Sequence, residues 1–165
     1  MTIKWTDGDQ EFRSRFVQMQ HSAKTSGAST NGSAWTDTGL SRSISLASSS
    51  NRVFILCSGS VRCDNSGNTG YHEAEGQARI VRGSSTQLRA QTFGFRNSSG
   101  NGKNFFSQFS FGFIDNPGSG NHTYKLQFGG GGSTFRIYVA DTTRYHNAGT
   151  TMSPSTDLNL IEFTP

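Results

Sequence analysis

Glu73 and Glu75 are the two carboxylates whose spacing matches a known catalyst. On a strand they would share one face about 7 Å apart, inside the roughly 5–10 Å that separates the acid and the base of a glycosidase. Distance is the whole of that match, because carboxylates on any solvated strand face have the same spacing. The four histidines, His21, His72, His122 and His146, are scattered, and no GxSxG segment accompanies them. A hydrolytic triad therefore has no setting. Gly129 to Gly132 lacks the Lys-Ser/Thr ending of a phosphate loop and joins two strand patterns rather than opening a helix. Asp7, Asp9 and Glu11 lie close together without the EF-hand pattern, and Cys57 and Cys63 have neither CxxC nor Cys/His zinc spacing. The sequence assigns no catalytic residue, cofactor or metal, and a glycan-degrading enzyme is the least favoured of its functions.

Polar loops carry the stronger signal. Tyr71 and His72 close the turn-rich segment DNSGNTG, and Phe95 and Arg96 precede NSSGNGK. An aromatic ring at a loop can stack on a sugar or fill a partner's pocket, so Tyr71, His72, Phe95 and Arg96 are the candidate ligand-binding residues. Phe93 and Phe95 also fit an ordinary core.

The element that positions these loops is a strand read from Asn104 to Asp115. Phe105, Phe109, Phe111 and Phe113 recur with a period of two, so they occupy one face. Each phenylalanine can bury roughly 150–250 Å², and the face requires an apolar cover, either the chain's own second sheet or a neighbouring subunit. These four residues are accordingly the candidate subunit interface, with the opposite face of the same sheet as the alternative. Asp115-Asn116-Pro117-Gly118 ends the strand with turn chemistry. Further strand patterns lie at 16–22, 35–45, 52–57, 73–82, 86–95, 124–128, 135–139 and 158–163. The apolar run Arg52 to Cys57 suits a central strand covered on both faces.

The chain has 165 residues, 13 of them Phe and 20 Gly, and only 16% are charged. That composition describes one β-rich, loop-rich domain. No run of 18 apolar residues suggests a membrane span, and the first residues lack a basic-then-apolar leader. The net charge of +4 is spread along the chain. Arg79, Arg82 and Arg89 would form a patch only if a hairpin gathered them, so nucleic acid is not an expected partner. Cys57 and Cys63 on one strand would stand about 20 Å apart, too far for a disulfide. Free, buried thiols and a reducing compartment are expected.

The succession KTSG, WTDTGLSRSIS, SSSNRVFIL, ARIVRG, FIDNPGSGNHTYKLQF and LNLIEF resembles a family of small β-sandwich proteins in tail fibres and virion appendages of bacteriophages, especially those of cyanobacteria and other marine hosts. The likeness covers nearly all the chain from Phe16 onward. It implies an all-β, antiparallel jelly-roll-like sandwich similar to the tumour-necrosis-factor type, commonly a homotrimer and without catalytic activity. Residues 1–15 would be an N-terminal docking arm toward other virion proteins, and 16–165 the single sandwich domain. A fibre protein would carry a long shaft ahead of this domain; with Met1 only about fifteen residues upstream, a free-standing subunit is expected, assembled in the host cytoplasm and located on the virion. It would serve as a fibre or knob component or a capsid decoration. A lectin-type module holding host-surface glycan is the alternative function.

Overall fold

The computed structural model describes residues 2–7, 10–25, 28–31, 34–65, 72–97, 104–130, 135–139 and 155–165, with side chains for 15–25, 34–61, 76–92, 107–129 and 155–165. Eleven strands occur among them: β1 (Thr2–Asp7), β2 (Gln10–Lys24), β3 (Ala28–Asn31), β4 (Thr36–Leu46), β5 (Arg52–Asn65), β6 (His72–Arg82), β7 (Thr86–Asn97), β8 (Asn104–Asp115), β9 (Gly120–Gly130), β10 (Phe135–Val139) and β11 (Thr156–Thr164).

All pairings are antiparallel. One sheet runs β1-β2-β11-β5, with β8 on the far side of β5; β10 pairs with the second half of β5 and carries β3. The other sheet runs β4-β9-β6-β7. Setting aside β1, β3 and β10 leaves eight strands. In chain order they make one sheet of the first, eighth, third and sixth, and another of the second, seventh, fourth and fifth. That order is the jelly roll, the two-sheet solution in which a doubled Greek key closes its terminal strands against each other. The fold is an all-β, antiparallel β-sandwich.

Alternation builds the core. Leu158 and Leu160 of β11, Val53, Ile55 and Cys57 of β5, Phe109 and Phe111 of β8, Ala78 and Ile80 of β6, Tyr124, Leu126 and Phe128 of β9, and Leu40, Ile44 and Leu46 of β4 form one buried cluster. Each large side chain among them contributes roughly 1.5–3 kcal/mol by leaving water. The Phe109 ring meets Phe128 of the opposite sheet edge-on, at 5.7 Å between centroids and 79° between planes. Phe111 stands beside it at 6.0 Å. Thus the cover that the phenylalanine strand requires is the chain's own second sheet. Phe109 and Phe111 are corrected from interface to core, since a ring already packed inside the sandwich has no surface left to offer a subunit. Phe113 is half-buried against the same cluster. Phe105 stands opposite Cys63, and its side chain lies outside the described residues.

β5 is central as expected, with β11 and β8 on its two edges. Its inner face is buried, while Phe54 and Leu56 on the outer face are only half-covered. Cys57 and Cys63 lie on this one continuous strand, which keeps them apart. Cys57 is a buried free thiol; the Cys63 side chain is not among those described.

The expected boundary at residue 15/16 falls inside β2. β1 pairs with Gln10–Arg15, whereas β11 pairs with β2 only from Arg15 to Lys24. β1 and Gln10–Ser14 of β2 therefore form a two-stranded ribbon that continues β2 past the end of β11. At this same edge the sheets are tied by polar side chains. Glu162, 1% exposed, accepts hydrogen bonds from Asn51 Nδ2 at 2.5 Å and Gln18 Nε2 at 2.6 Å. Gln18 Nε2 also lies 2.8 Å from the Ser45 carbonyl of β4, and Arg42 donates to Gln20 Oε1 at 2.6 Å.

Candidate binding surfaces

The sequence-predicted loop residues converge in part. Register places His72 opposite Asn97, Glu73 opposite Arg96 and Ala74 opposite Phe95. The backbone positions of His72, Phe95 and Arg96 thus meet at one end of the β4-β9-β6-β7 sheet, where the segments 66–71 and 98–103 are attached. Tyr71 lies outside the described residues, as do the side chains of the other three. Glu73 and Glu75 face Arg96 and Gly94 across the same ladder.

Arg79, Arg82 and Arg89 do not gather on one face. Arg82 Nη1 reaches Asp115 Oδ2 of β8 at 2.6 Å, in the other sheet. Arg89 stands opposite the inward-facing Ile80 on the edge strand β7. Arg79 points outward, and its guanidinium carbon stands 4.1 Å from the centre of the Trp35 ring. Two histidines have defined partners: His21 Nε2 lies 3.0 Å from Asp157 Oδ1, and His122 Nε2 lies 3.1 Å from the Gly118 carbonyl. Among the described residues no group of three His, Cys, Asp or Glu is placed to hold a metal ion.

Arg79 belongs to a network that crosses all four strands of its sheet on the outer face. Lys125 Nζ of β9 donates to Asp37 Oδ2 of β4 at 3.3 Å. Gln127 Nε2 donates to Asp37 Oδ1 at 2.5 Å. Gln127 Oε1 accepts from Arg79 Nε of β6 at 2.8 Å, and Arg79 Nη1 donates to Gln87 Oε1 of β7 at 2.8 Å. The hydrogen bond from Gln127, with help from Lys125 and against partial burial, holds the Asp37 carboxyl below its ordinary value. Trp35 settles over Gly129, where a Cβ would stand 3.2 Å from ring carbon Cε3. Half-exposed indole, guanidinium, carboxylate and amides are therefore held in fixed positions on one face, a set able to meet a polar, hydroxylated ligand. The outward parity of Lys125 and Gln127 was legible in the alternation of TYKLQF; Trp35 and Asp37 were not, because their partners come from strands remote in sequence.

The outer face of the other sheet carries an apolar row, with Arg52, His21 and Asn159 in the rows beside it. Phe16, Val17, Met19 and Ile114 are 45–56% exposed, and they are the exposed large hydrophobics among the described residues. Register aligns Met19, Ile161, Phe54 and Ile114 in one row across β2, β11, β5 and β8. Phe163 lies opposite Phe16 beyond a register shift, and Leu56 lies opposite Asn159 and Gly112. The Phe54 ring leans over Gly112, where a Cβ would stand 3.1 Å from Cζ.

No family of known proteins matches this sequence, and no curated protein does. Solved structures do match. Three of them are of infectious bursal disease virus: the Gx strain (11% identity, TM-score 0.39), the Gt strain (12%, 0.41) and the VP2 subviral particle (12%, 0.36). The matches cover 95–96% of this chain and 44–45% of those chains. This chain thus spans less than half the length of the structures it matches. At such identities and scores the likeness extends no further than a similar path of strands.

Proposed function

We propose that this protein is a non-enzymatic virion structural protein, a surface appendage or capsid-decoration subunit that works as part of an assembly, with a homotrimer as its working form. The observation that carries the reading is the asymmetry of the sandwich. One outer face presents a contiguous apolar row, a patch of the kind that often serves an interaction. The other presents an ordered polar network. The motif succession shared with phage appendage sandwiches supplies the setting, by analogy. Labelling purified particles with an antibody against the protein tests it: the label should decorate the tail or capsid at regular positions. Particles without label, with the protein recovered only from the soluble lysate, would overturn it.

The Trp35 network favours a second role on the same subunit, recognition of host-surface glycan. A glycan array with the purified protein should give selective binding that Trp35→Ala or Arg79→Ala reduces. A blank array leaves decoration alone. Selective binding insensitive to both variants but lost with His72→Ala, Phe95→Ala or Arg96→Ala would move the site to the strand ends at the loop side.

A further inference from the structure

The apolar outer face and the N-terminal ribbon are two unfinished structures that begin on the same strand. We propose that in the assembled protein the ribbon of one copy, β1 with Gln10–Ser14 of β2, lies across the apolar row of a second copy. The proposal deepens the assembly reading above by naming what covers that face.

Taken alone, the ribbon is weak. Beyond Arg15, β2 has β1 as its only register partner among the described strands, and a two-stranded hairpin is marginal in water until a further layer packs on it. Its register also sets Lys4 directly opposite Arg13, and like charges so placed weaken a strand pair. The ribbon holds Ile3, Trp5 and Phe12, with Trp5 opposite Phe12, so its sequence carries the apolar mass a docking element requires.

It cannot cover its own sheet. β2 is one continuous strand over Gln10–Lys24, paired with β1 on the first part and with β11 on the rest apart from Val17 at the register shift. Folding back would break β2 in its middle, so the ribbon continues away from the face it would need to reach.

Dimensions favour ribbon exchange over a face-to-face pair. Four strands at about 4.8 Å spacing and three residue rows give an apolar face of roughly 300 Å² in projection. A specific interface buries at least about 1,000 Å² in total, or about 500 Å² per partner, so two such faces alone fall short. When each copy gives a ribbon and receives one, it contributes two surfaces instead of one, roughly 600 Å² by the same measure, which clears that threshold. A strand of six residues is about 20 Å long, enough to cross the four strands.

The test uses the full chain with Trp35→Phe, which leaves Trp5 as the single tryptophan, since the sequence has two. Mass by light scattering and tryptophan emission are followed together over a concentration series. The expected result is that mass rises and emission moves to shorter wavelength in step. The double variant Met19→Glu/Ile114→Glu, at exposed positions the fold does not use, should abolish both changes or shift them to at least about tenfold higher concentration. Trp5→Ser, in the wild-type background, should weaken assembly likewise. A monomer at all concentrations overturns the proposal. So does assembly without any change in Trp5 emission, or assembly that the face variant leaves untouched. Because no particle enters this experiment, its failure is distinct from failure of the virion reading, which antibody labelling decides.

Discussion

At Gly59 the inner surface of β5 has no room for a side chain. A Cβ there would stand 2.9 Å from Thr156 Cγ2 and closer still to Oγ1, while Thr156 itself is fully buried. Gly59→Ala should cost about 1–3 kcal/mol, the usual penalty for overpacking a core, read from urea midpoints. Adding Thr156→Ala should recover part of that loss; a double variant no more stable than Gly59→Ala would place the strain elsewhere. Tyr124 makes a second residue-scale case. Its hydroxyl donates to Asp115 Oδ2 at 2.8 Å, and burial first, then that hydrogen bond, push the phenol well above its ordinary value. In the unfolded chain a tyrosine loses its proton near pH 10. The folded state holds the proton longer, so its contribution is complete below about pH 10 and is lost as pH rises beyond it. Unfolding by base should therefore steepen above about pH 10, and Tyr124→Phe should flatten that dependence. None of this was legible beforehand, because Gly59 and Thr156, and Tyr124 and Asp115, meet only once the sheets are paired.

At the scale of an element, β4 shows what alternation reveals and what it hides. WTDTGLSRSIS reads as extended and broken at Gly39, and the structure has one strand with an irregularity at that place. Residues 38–40 face the single Leu126, Gly39 has a φ of 81°, and the register shifts between Asp37 and Ser41. Thr38 Oγ1 fills the gap in the ladder, donating to the Leu126 carbonyl at 2.9 Å and accepting from the Leu40 N–H at 3.1 Å. Thr38→Val keeps the shape and removes both bonds, leaving two buried backbone groups unpaired; a loss of about 1–3 kcal/mol is expected. An unchanged midpoint would mean that water replaces the hydroxyl. The phenylalanine strand is the complementary lesson. Its period of two was plain, and so was its demand for an apolar cover, but a period cannot say whether the cover is the chain's own sheet or another subunit. In β11, likewise, LNLIEF puts Glu162 at the inward parity of Leu158 and Leu160, yet only the folded edge supplies the Asn51 and Gln18 amides that make a buried carboxylate tolerable.

Across the whole molecule, closure depends on partners far apart in sequence: His21 and Asp157, 136 residues apart, meet where β2 pairs with β11. Folds dominated by such pairings form in milliseconds to seconds, because loop-closure entropy is lost before the contacts form. Cys57 offers a probe of the closed state. Burial, and secondarily Asp157, raise its thiol to about 12, so in a Cys63→Ser chain it should react with a thiol reagent only through global unfolding. Its labelling rate should rise with denaturant as the unfolding rate does; fast labelling in buffer would show that the sandwich opens locally. The general class of this fold was readable from the even spacing of its strands. Its two unlike outer faces were not, since each is assembled from four strands that the chain visits in a scrambled order. The pairing of β2 with β11 has a last consequence, for mechanical load. A pull on the ribbon is transmitted along β2, parallel to the strand, into a ladder whose hydrogen bonds run from Arg15 to Lys24. Those bonds are loaded together in shear instead of being peeled one at a time, so a docked ribbon would slip from its neighbour before the subunit came apart.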